Sequence, residues 1–258
     1  MFEFSIIIPM RNASKYIAQT VDSVMAQSFT NWELVVVDDA STDGGKSVKI
    51  VEKYVEKDSR IKLLCLTHNK GSSGARNEGL KIIQGRYLAF LDSDDIWHPD
   101  YLSTMYDHIQ KNTVPNAAIF YCGYRRMDDD CKKSILSDYK EPGVKTARSL
   151  FFHCPIFPSI SIFDTACLKE KVFFREELHS LRDDYVYVLD ILKQGFVALG
   201  YDDILVDYRM RSDSITASKK KMIVPQWNVY RKIYHLNFFV SCIYLLSWAW
   251  NGFRKYRK

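Results

Sequence analysis

Residues 87–99 read Tyr-Leu-Ala-Phe-Leu-Asp-Ser-Asp-Asp-Ile-Trp-His-Pro. Tyr87–Leu91 is an apolar run without helical period, the mark of a buried parallel strand, and Asp92-Ser-Asp-Asp95 stands at its carboxyl end. Asp-x-Asp alone says little, since the chain also holds Asp128-Asp129-Asp130, which reads as a solvated loop. The strand immediately before Asp92 and the stiff Trp97-His-Pro99 after Asp95 set this copy apart.

Three further runs toward the N-terminus share the pattern. Phe4-Ser-Ile-Ile-Ile-Pro9, Trp32-Glu-Leu-Val-Val-Val37 and Ile61–Leu66 read as strands. Between them lie helical patterns, one capped by Ser14 with Ile17, Val21, Val24 and Met25 on one face, one with Val48, Val51 and Val55. Gly71–Gly74 breaks the pattern before a helix at about Ala75–Ile83. This alternation predicts an α/β fold, a Rossmann-like doubly wound, mostly parallel sheet. Residues 123–150 turn polar and read as an exposed hairpin or loop. Periodicity returns at Phe157–Phe163, followed by a helix at about Asp184–Gln194, strand-like pieces at Val197–Leu199 and Ile204–Tyr208, and a linker at Lys219–Lys221.

Ligands of such sheets bind at the carboxyl ends of the strands. Here those ends carry Pro9–Asn12, Asp38-Asp39 and Asp92–Asp95. Carboxylates converging on one rim repel unless a cation sits among them; a divalent metal meets that need and also binds a diphosphate. The expected site is therefore metal plus nucleotide, one carboxylate reaching a ribose hydroxyl and the next the metal. No GxGxxG follows the first strand and no GxxxxGK[ST] occurs, which argues against a dinucleotide cofactor and a P-loop. The six cysteines form no CxxC pair, and the chain begins directly in a strand pattern, so reduced thiols, a cytoplasmic setting and no secretory leader are expected.

Taken in series, the motifs resemble the inverting glycosyltransferases of family 2, with the GT-A fold, over roughly residues 4–216. "FSIIIPMRN" and "ELVVVDDASTD" are similar to the family's first two strands, "GSSGARNEGL" to its glycine-rich turn and "YLAFLDSDDIWHP" to its DxD region. "LRDDYVYVLDIL" resembles the acceptor-side acidic motif and "YRMRSDSIT" the segment closing over the diphosphate. The resemblance implies a UDP-sugar donor. Asp39 would accept the uracil imide N–H, with Pro9, Arg11 and Arg76 lining the base and Asn12 and Ser93 on the same rim. Asp92 would hold the ribose and Asp94 would ligate Mn²⁺ or Mg²⁺, supported by Asp95. Of the pair Asp183-Asp184, Asp184 would be the general base, since adjacent carboxylates repel and raise one pKa. Arg211 stands where the family commonly has a histidine; arginine cannot ligate a metal but can hold a diphosphate. His179 and His98 read as a loop residue and a structural one. A catalytically inactive sugar-nucleotide-binding protein of the same fold is the alternative. A nucleotidyltransferase would need a basic glycine-rich loop after the first strand, and a processive synthase a QxxRW motif with membrane spans.

Charge is uneven along the chain. Residues 209–258 hold 11 Lys and Arg against one Asp, a balance of +10, while the first 208 residues hold 25 against 30. Leu236–Phe253, with Trp248 and Trp250 near its end, Trp227 and Arg231-Lys232 before it and Arg254–Lys258 after it, is too short and too interrupted for a comfortable span. An amphipathic helix in the headgroup plane of an anionic membrane fits it better; a helix packed on the catalytic domain is the alternative. The expected organisation is a catalytic domain, 1–216, and a basic aromatic tail, 217–258. The tail resembles that of bacterial O-antigen and capsule transferases. That likeness implies a polyprenyl-diphosphate-linked sugar acceptor, and a peripheral place on the cytoplasmic face without nucleic acid as partner.

Overall fold

A computed structural model describes residues 2–168, 172–178, 181–211 and 222–255, with Arg254 and Lys255 described by backbone alone. His179, Ser212–Thr216, the Lys219–Lys221 linker and residues 256–258 lie outside the described residues. The first half runs β1 (Phe4–Met10), α1 (Ile17–Met25), β2 (Trp32–Asp38), α2 (Lys46–Val55), β3 (Ile61–Cys65), α3 (Gly71–Ile82), β4 (Tyr87–Phe90), β5 (Ile96–Trp97) and α4 (Tyr101–Gln110). There follow β6 (Ala117–Met127), β7 (Ser134–Tyr139), β8 (Gly143–Lys145), α5 (Ala147–Phe152), β9 (Ser161–Asp164), α6 (Asp183–Leu192) and β10 (Val197–Arg209). Helix α7 (Ile223–Asn228), a π-helical turn at Val229–Ile233 and α8 (Phe238–Lys255) complete the described chain.

The strands form one sheet in the order β3-β2-β1-β4-β9-β6-β10-β5, with β7 on β6 and β8 on β10. Its first half, β3 to β4, is parallel, as the apolar runs predict. Strand β9 then lies antiparallel between β4 and β6, and β10 returns parallel to β6. Every residue of β2, and all of β1 but Pro9, is buried, because an interior parallel strand is covered on both faces. Helix α3 seats closely on β1: a Cβ at Gly79 would stand 2.8 Å from Cγ2 of the fully buried Ile7. Glycine there permits the approach, and Arg76, one turn earlier, is carried under the rim.

Several readings change. Ser14 does not cap α1, which starts at Ile17 after Tyr16 without a side-chain cap, and Met25 is exposed. Gly71–Gly74 is the first turn of α3 rather than a break before it, since the first helical N–H groups need no partner in the preceding turn. The two strand-like pieces after residue 196 are one strand, β10, with irregular register at Gly200–Ile204. The polar stretch after residue 122 begins as buried β6, and Arg126 is satisfied there by the Ser137 carbonyl at 2.9 Å. The hairpin with β7 is exposed, as read.

Within residues 222–255, part of the chain packs against the catalytic fold. Val229 and Tyr230 belong to the main core, and Tyr244 of α8 stacks on Phe151 of α5 with ring centroids 5.3 Å apart. The opposite face of α8 presents Phe239, Ile243, Leu246, Trp250 and Phe253 to solvent. Among the described residues no helix is long and apolar enough to cross a membrane.

Candidate active site

The rim is built where β1, β2 and β4 end. Asn12 adopts a left-handed backbone (φ 50°), tolerable for asparagine, and its Oδ1 accepts from the Thr42 amide at 2.7 Å, lashing the end of β1 to the loop after β2. Asn12 thus shapes the rim. Pro9 lies in β1 beside Val37, and Arg11 is exposed just beyond. Asp38 folds its own loop by accepting from the Ser41 amide and hydroxyl. Asp39 accepts from the Lys70 amide at 2.6 Å, so one of its oxygens fixes the approach to α3.

After β4 the acidic residues part ways. Asp92 receives a hydrogen bond from Arg76 Nη2 at 2.6 Å, while its own amide donates to the Ser159 hydroxyl. Ser93 is held through its carbonyl by Thr20. Asp94 meets Arg211 Nη1 at 3.0 Å, and its carbonyl accepts from Arg209 Nε at 2.6 Å. Asp95, read with Asp94 as metal-binding, turns inward instead. It is 1% exposed, with one oxygen accepting from the Arg209 amide and the other from the Ser159 hydroxyl. Its carboxylate secures the acidic loop to β10 rather than offering an oxygen to the rim. Arg209 and Arg211 both stack on the Tyr16 ring, with the guanidinium carbons 4.7 and 4.9 Å from its centroid.

Burial, and then the charge of Asp92, push the Asp94 carboxyl above its ordinary range, and Arg211 opposes them. A pair of rim carboxylates under mutual repulsion fits a divalent cation, which commonly takes one or two protein carboxylates and completes its shell with phosphate oxygens and water. Asp94 and Asp92 would supply the protein share. No group of three metal-ligating side chains occurs among the described residues.

Arg76, read as lining the base, is 4% exposed and its guanidinium bridges two acids, Asp92 at 2.6 Å and Asp183 at 3.4 Å. Phe174 lies 5.2 Å from its carbon, an aromatic wall for the buried cation. Burial alone would lower its pKa, but the charges of Asp92 and Asp183 outweigh that and keep it raised.

The two acids at the start of α6 differ in what they hold. Asp183 is buried and accepts from the Ser73 hydroxyl at 2.7 Å as well as from Arg76. Among the described residues Asp184 accepts a short-range hydrogen bond from the Tyr185 amide, at 2.7 Å. Burial and the neighbouring Asp183 charge raise its pKa, against the pull of Arg182 and Arg76. Asp183 is committed to Ser73 and Arg76, whereas Asp184 keeps spare acceptor capacity and a raised pKa. Sequence reasoning passed over Ser73, Ser159 and Arg209, whose roles depend on partners far away in the chain. His98, read as structural, meets Asp207 at 3.0 Å.

The family model of Glycosyl transferase family 2 matches residues 5–161. The chain is 34% identical to the Bacillus subtilis protein TuaG, named as a glycosyltransferase of teichuronic acid biosynthesis, over 97% of this chain and 96% of that one. It is also 34% identical to Escherichia coli WfgD, named UDP-Glc:alpha-D-GlcNAc-diphosphoundecaprenol beta-1,3-glucosyltransferase, over 98% of this chain and 94% of that one. Among solved structures, S. aureus TarS 1-349 in complex with UDP-GlcNAc superposes with a TM-score of 0.72, covering 100% of this chain and 76% of that one at 23% identity. The mannosyltransferase PcManGT from Pyrobaculum calidifontis, in complex with GDP-Man and Mn2+, gives 0.70 over 94% of this chain and 69% of that one at 19% identity. At such identities these two likenesses speak for the fold.

The Arg76 bridge makes a stability prediction. Arg76→Met strands Asp183, whose side chain is 5% exposed, without its cation. Leaving one partner of a buried pair uncompensated costs about 3–5 kcal/mol. Thermal or urea unfolding at pH 7 should show a loss of that order; a loss below about 1 kcal/mol, the scale of an exposed pair, would mean the bridge is not formed in solution.

Proposed function

The chain belongs to glycosyl transferase family 2 and has the GT-A fold, and on that premise we propose that it is an inverting, metal-dependent hexosyl- or N-acetylhexosaminyltransferase. The donor is a UDP-sugar and the acceptor a hydroxyl of a polyprenyl-diphosphate-linked saccharide. The observation that carries this reading is the shared guanidinium of Arg76, with Asp92 on one side and Asp183 on the other. One buried cation thereby sets the nucleotide-side acids and the acceptor-side acids at a fixed separation. The reaction for which WfgD is named supports the UDP donor and the lipid-linked acceptor, and TuaG's naming for teichuronic acid biosynthesis supports a place in polysaccharide assembly.

In this mechanism Asp39, Pro9 and Arg11 bind the uracil side of the donor and Asp92 the ribose. Mn²⁺ or Mg²⁺, held by Asp94 with Asp92 nearby, supplies charge stabilisation to the diphosphate when bound. Asp184 accepts the proton of the acceptor hydroxyl while that oxygen attacks the anomeric carbon. The bond from that carbon to the UDP oxygen breaks, and Arg211 receives the charge developing on the diphosphate. The reach of Arg211 to Asp94 from the end of β10 supports this role. A single displacement inverts the anomeric centre.

The setting follows from α8. Its outward stripe of Phe239, Ile243, Leu246, Trp250 and Phe253 recurs every three or four residues along one helix face. With Arg231 and Lys232 before it and Arg254 and Lys255 at its end, this face suits a peripheral position on an anionic membrane, on the cytoplasmic side where such acceptors are built.

Two measurements test this. UDP should compete with the donor better than GDP, and Asp184→Asn should leave UDP affinity within about twofold while lowering turnover by roughly 10²–10⁴. Equal inhibition by GDP would contradict the nucleotide assignment; near-normal turnover would move the base elsewhere. For the membrane, truncating the tail is a poor probe, because Val229 and Tyr230 are core residues. Replacing Phe239, Leu246 and Trp250 together with serine should release the protein from phosphatidylglycerol liposomes without changing UDP binding. Wild-type protein that ignores such liposomes even at low salt would remove the membrane from the proposal.

A further inference from the structure

We infer that Arg182 is a positioning residue for the catalytic pair, held over the first turn of α6 by Tyr185 and by Trp248 of α8, so that the C-terminal helix takes part in keeping Asp184 able to accept a proton. This rests on the reading of Asp184 as the base.

Arg182 immediately precedes α6 and adopts a left-handed backbone, φ 68° and ψ 16°. For a residue with a Cβ this costs on the order of 1 kcal/mol, and helices that end or begin in such a conformation usually place glycine or asparagine there. Strain of this kind persists where the surroundings impose it, and it clusters at functional sites. Here the surroundings are aromatic. The guanidinium carbon lies 4.6 Å from the Tyr185 ring centroid and 5.9 Å from that of Trp248. Among the described residues Arg182 forms no ion pair, and its Nε is buried without a hydrogen-bond partner. Its charge is therefore not cancelled by a carboxylate in contact.

That charge is directed at Asp184. Among the described residues, the charged groups that act most strongly on the Asp184 carboxyl are Asp183, Arg182 just before α6 and Arg76 from α3. Arg76 is already divided between Asp92 and Asp183. The pull of Arg182 on the Asp184 carboxyl exceeds that of Arg76. Losing it would let burial and Asp183 push the Asp184 carboxyl further up, against the Tyr185 amide and Arg76.

Helix α8 is well placed to hold Arg182. Its inner face is anchored by Tyr244 on Phe151 and Phe152 of α5, and the Tyr185 hydroxyl donates to the Leu150 carbonyl of the same helix at 3.1 Å. The Tyr234 hydroxyl, just before α8, donates to Asp190 of α6 at 2.9 Å. Trp248 thus approaches Arg182 from an element fixed to α5, which is in turn tied to α6, while the outer face of that element is the apolar stripe. Trp248, which holds Arg182, and the surface proposed to meet the membrane share one helix.

The test reads Asp184 directly. Protein labelled with ¹³C at aspartate carboxyls is titrated by NMR, the Asp183–Asp184 signals being assigned by their change in Asp184→Asn. Arg182→Gly accepts φ 68° without strain and removes the cation, so the helix is retained. It should move the upper apparent pKa of the pair up by about one pH unit, the low end for loss of a nearby opposite charge. Trp248→Ala should move it in the same direction by less, whereas Arg182→Lys and Trp248→Phe should titrate like wild type. In turnover assays the acid limb of kcat should follow to higher pH, with donor KM unchanged. An Arg182→Gly titration that superimposes on wild type overturns the inference. A wild-type protein that turns over no UDP-sugar refutes the functional reading instead, and the NMR titration still decides the role of Arg182.

Discussion

A single buried guanidinium governs the geometry of this molecule's working end. Arg76 is 4% exposed and pairs with Asp92, at the end of β4, and with Asp183, at the start of α6. Removing a cation from water is costly, and only well-placed anions offset the loss. The offset exists only when α3, β4 and α6 are all in place at once. Close packing of α3 on β1 through Gly79 sets the height of Arg76, and Ser73, one turn before it, secures the same Asp183 at 2.7 Å. The acidic loop is tied down separately, by Asp95 to Ser159 and Arg209, which leaves Asp92 and Asp94 on the rim. Burial and pairing thus give the carboxylates different roles. Asp95 and Asp183 hold the frame, while Asp92, Asp94 and Asp184 are the carboxylates the proposed chemistry uses.

How far this was legible in the sequence depends on how local each feature is. β1, β2 and β4 were readable because an interior parallel strand needs apolar residues on both faces, which leaves an unbroken run. The acidic residues at the strand ends were readable for the same reason, since they follow those runs without a gap. Helix α3 was misjudged at its start because glycine and serine look like breakers. In its first turn they serve closeness instead: a Cβ at Gly74 would clash with Cβ of Lys70. β6 was hidden by its arginines, of which Arg126 is buried and satisfied by a backbone carbonyl. The bridging role of Arg76 was out of reach, because it joins residues 16 and 107 positions away along the chain. So was the inward turn of Asp95, which depends on Ser159, a serine with no signature of its own.

The C-terminal segment shows how a sequence pattern can serve two surfaces. Its aromatics suggested a membrane-facing helix, with packing against the protein as the alternative, and α8 does pack. Tyr244 and Leu245 lie against the core while Phe239, Leu246 and Trp250 point to solvent. A helix that is apolar on two faces costs the protein solubility unless the second face has somewhere to go. A lipid-linked acceptor would bring that surface with it, and would present its sugar at a fixed height above the bilayer. On the proposed reading, the same helix would set the distance between the active-site rim and the membrane.

The chemistry proposed for this site is a single displacement with Asp184 as base, and its most direct signature lies in the product. With whichever UDP-sugar supports turnover, ¹H NMR of the product formed before any mutarotation or secondary cleavage reports the anomeric configuration of the new linkage. The account predicts inversion, a β-linked product from an α-linked UDP-sugar. An α-linked product would mean retention, and would contradict the one-step displacement on which the assignment of Asp184 rests.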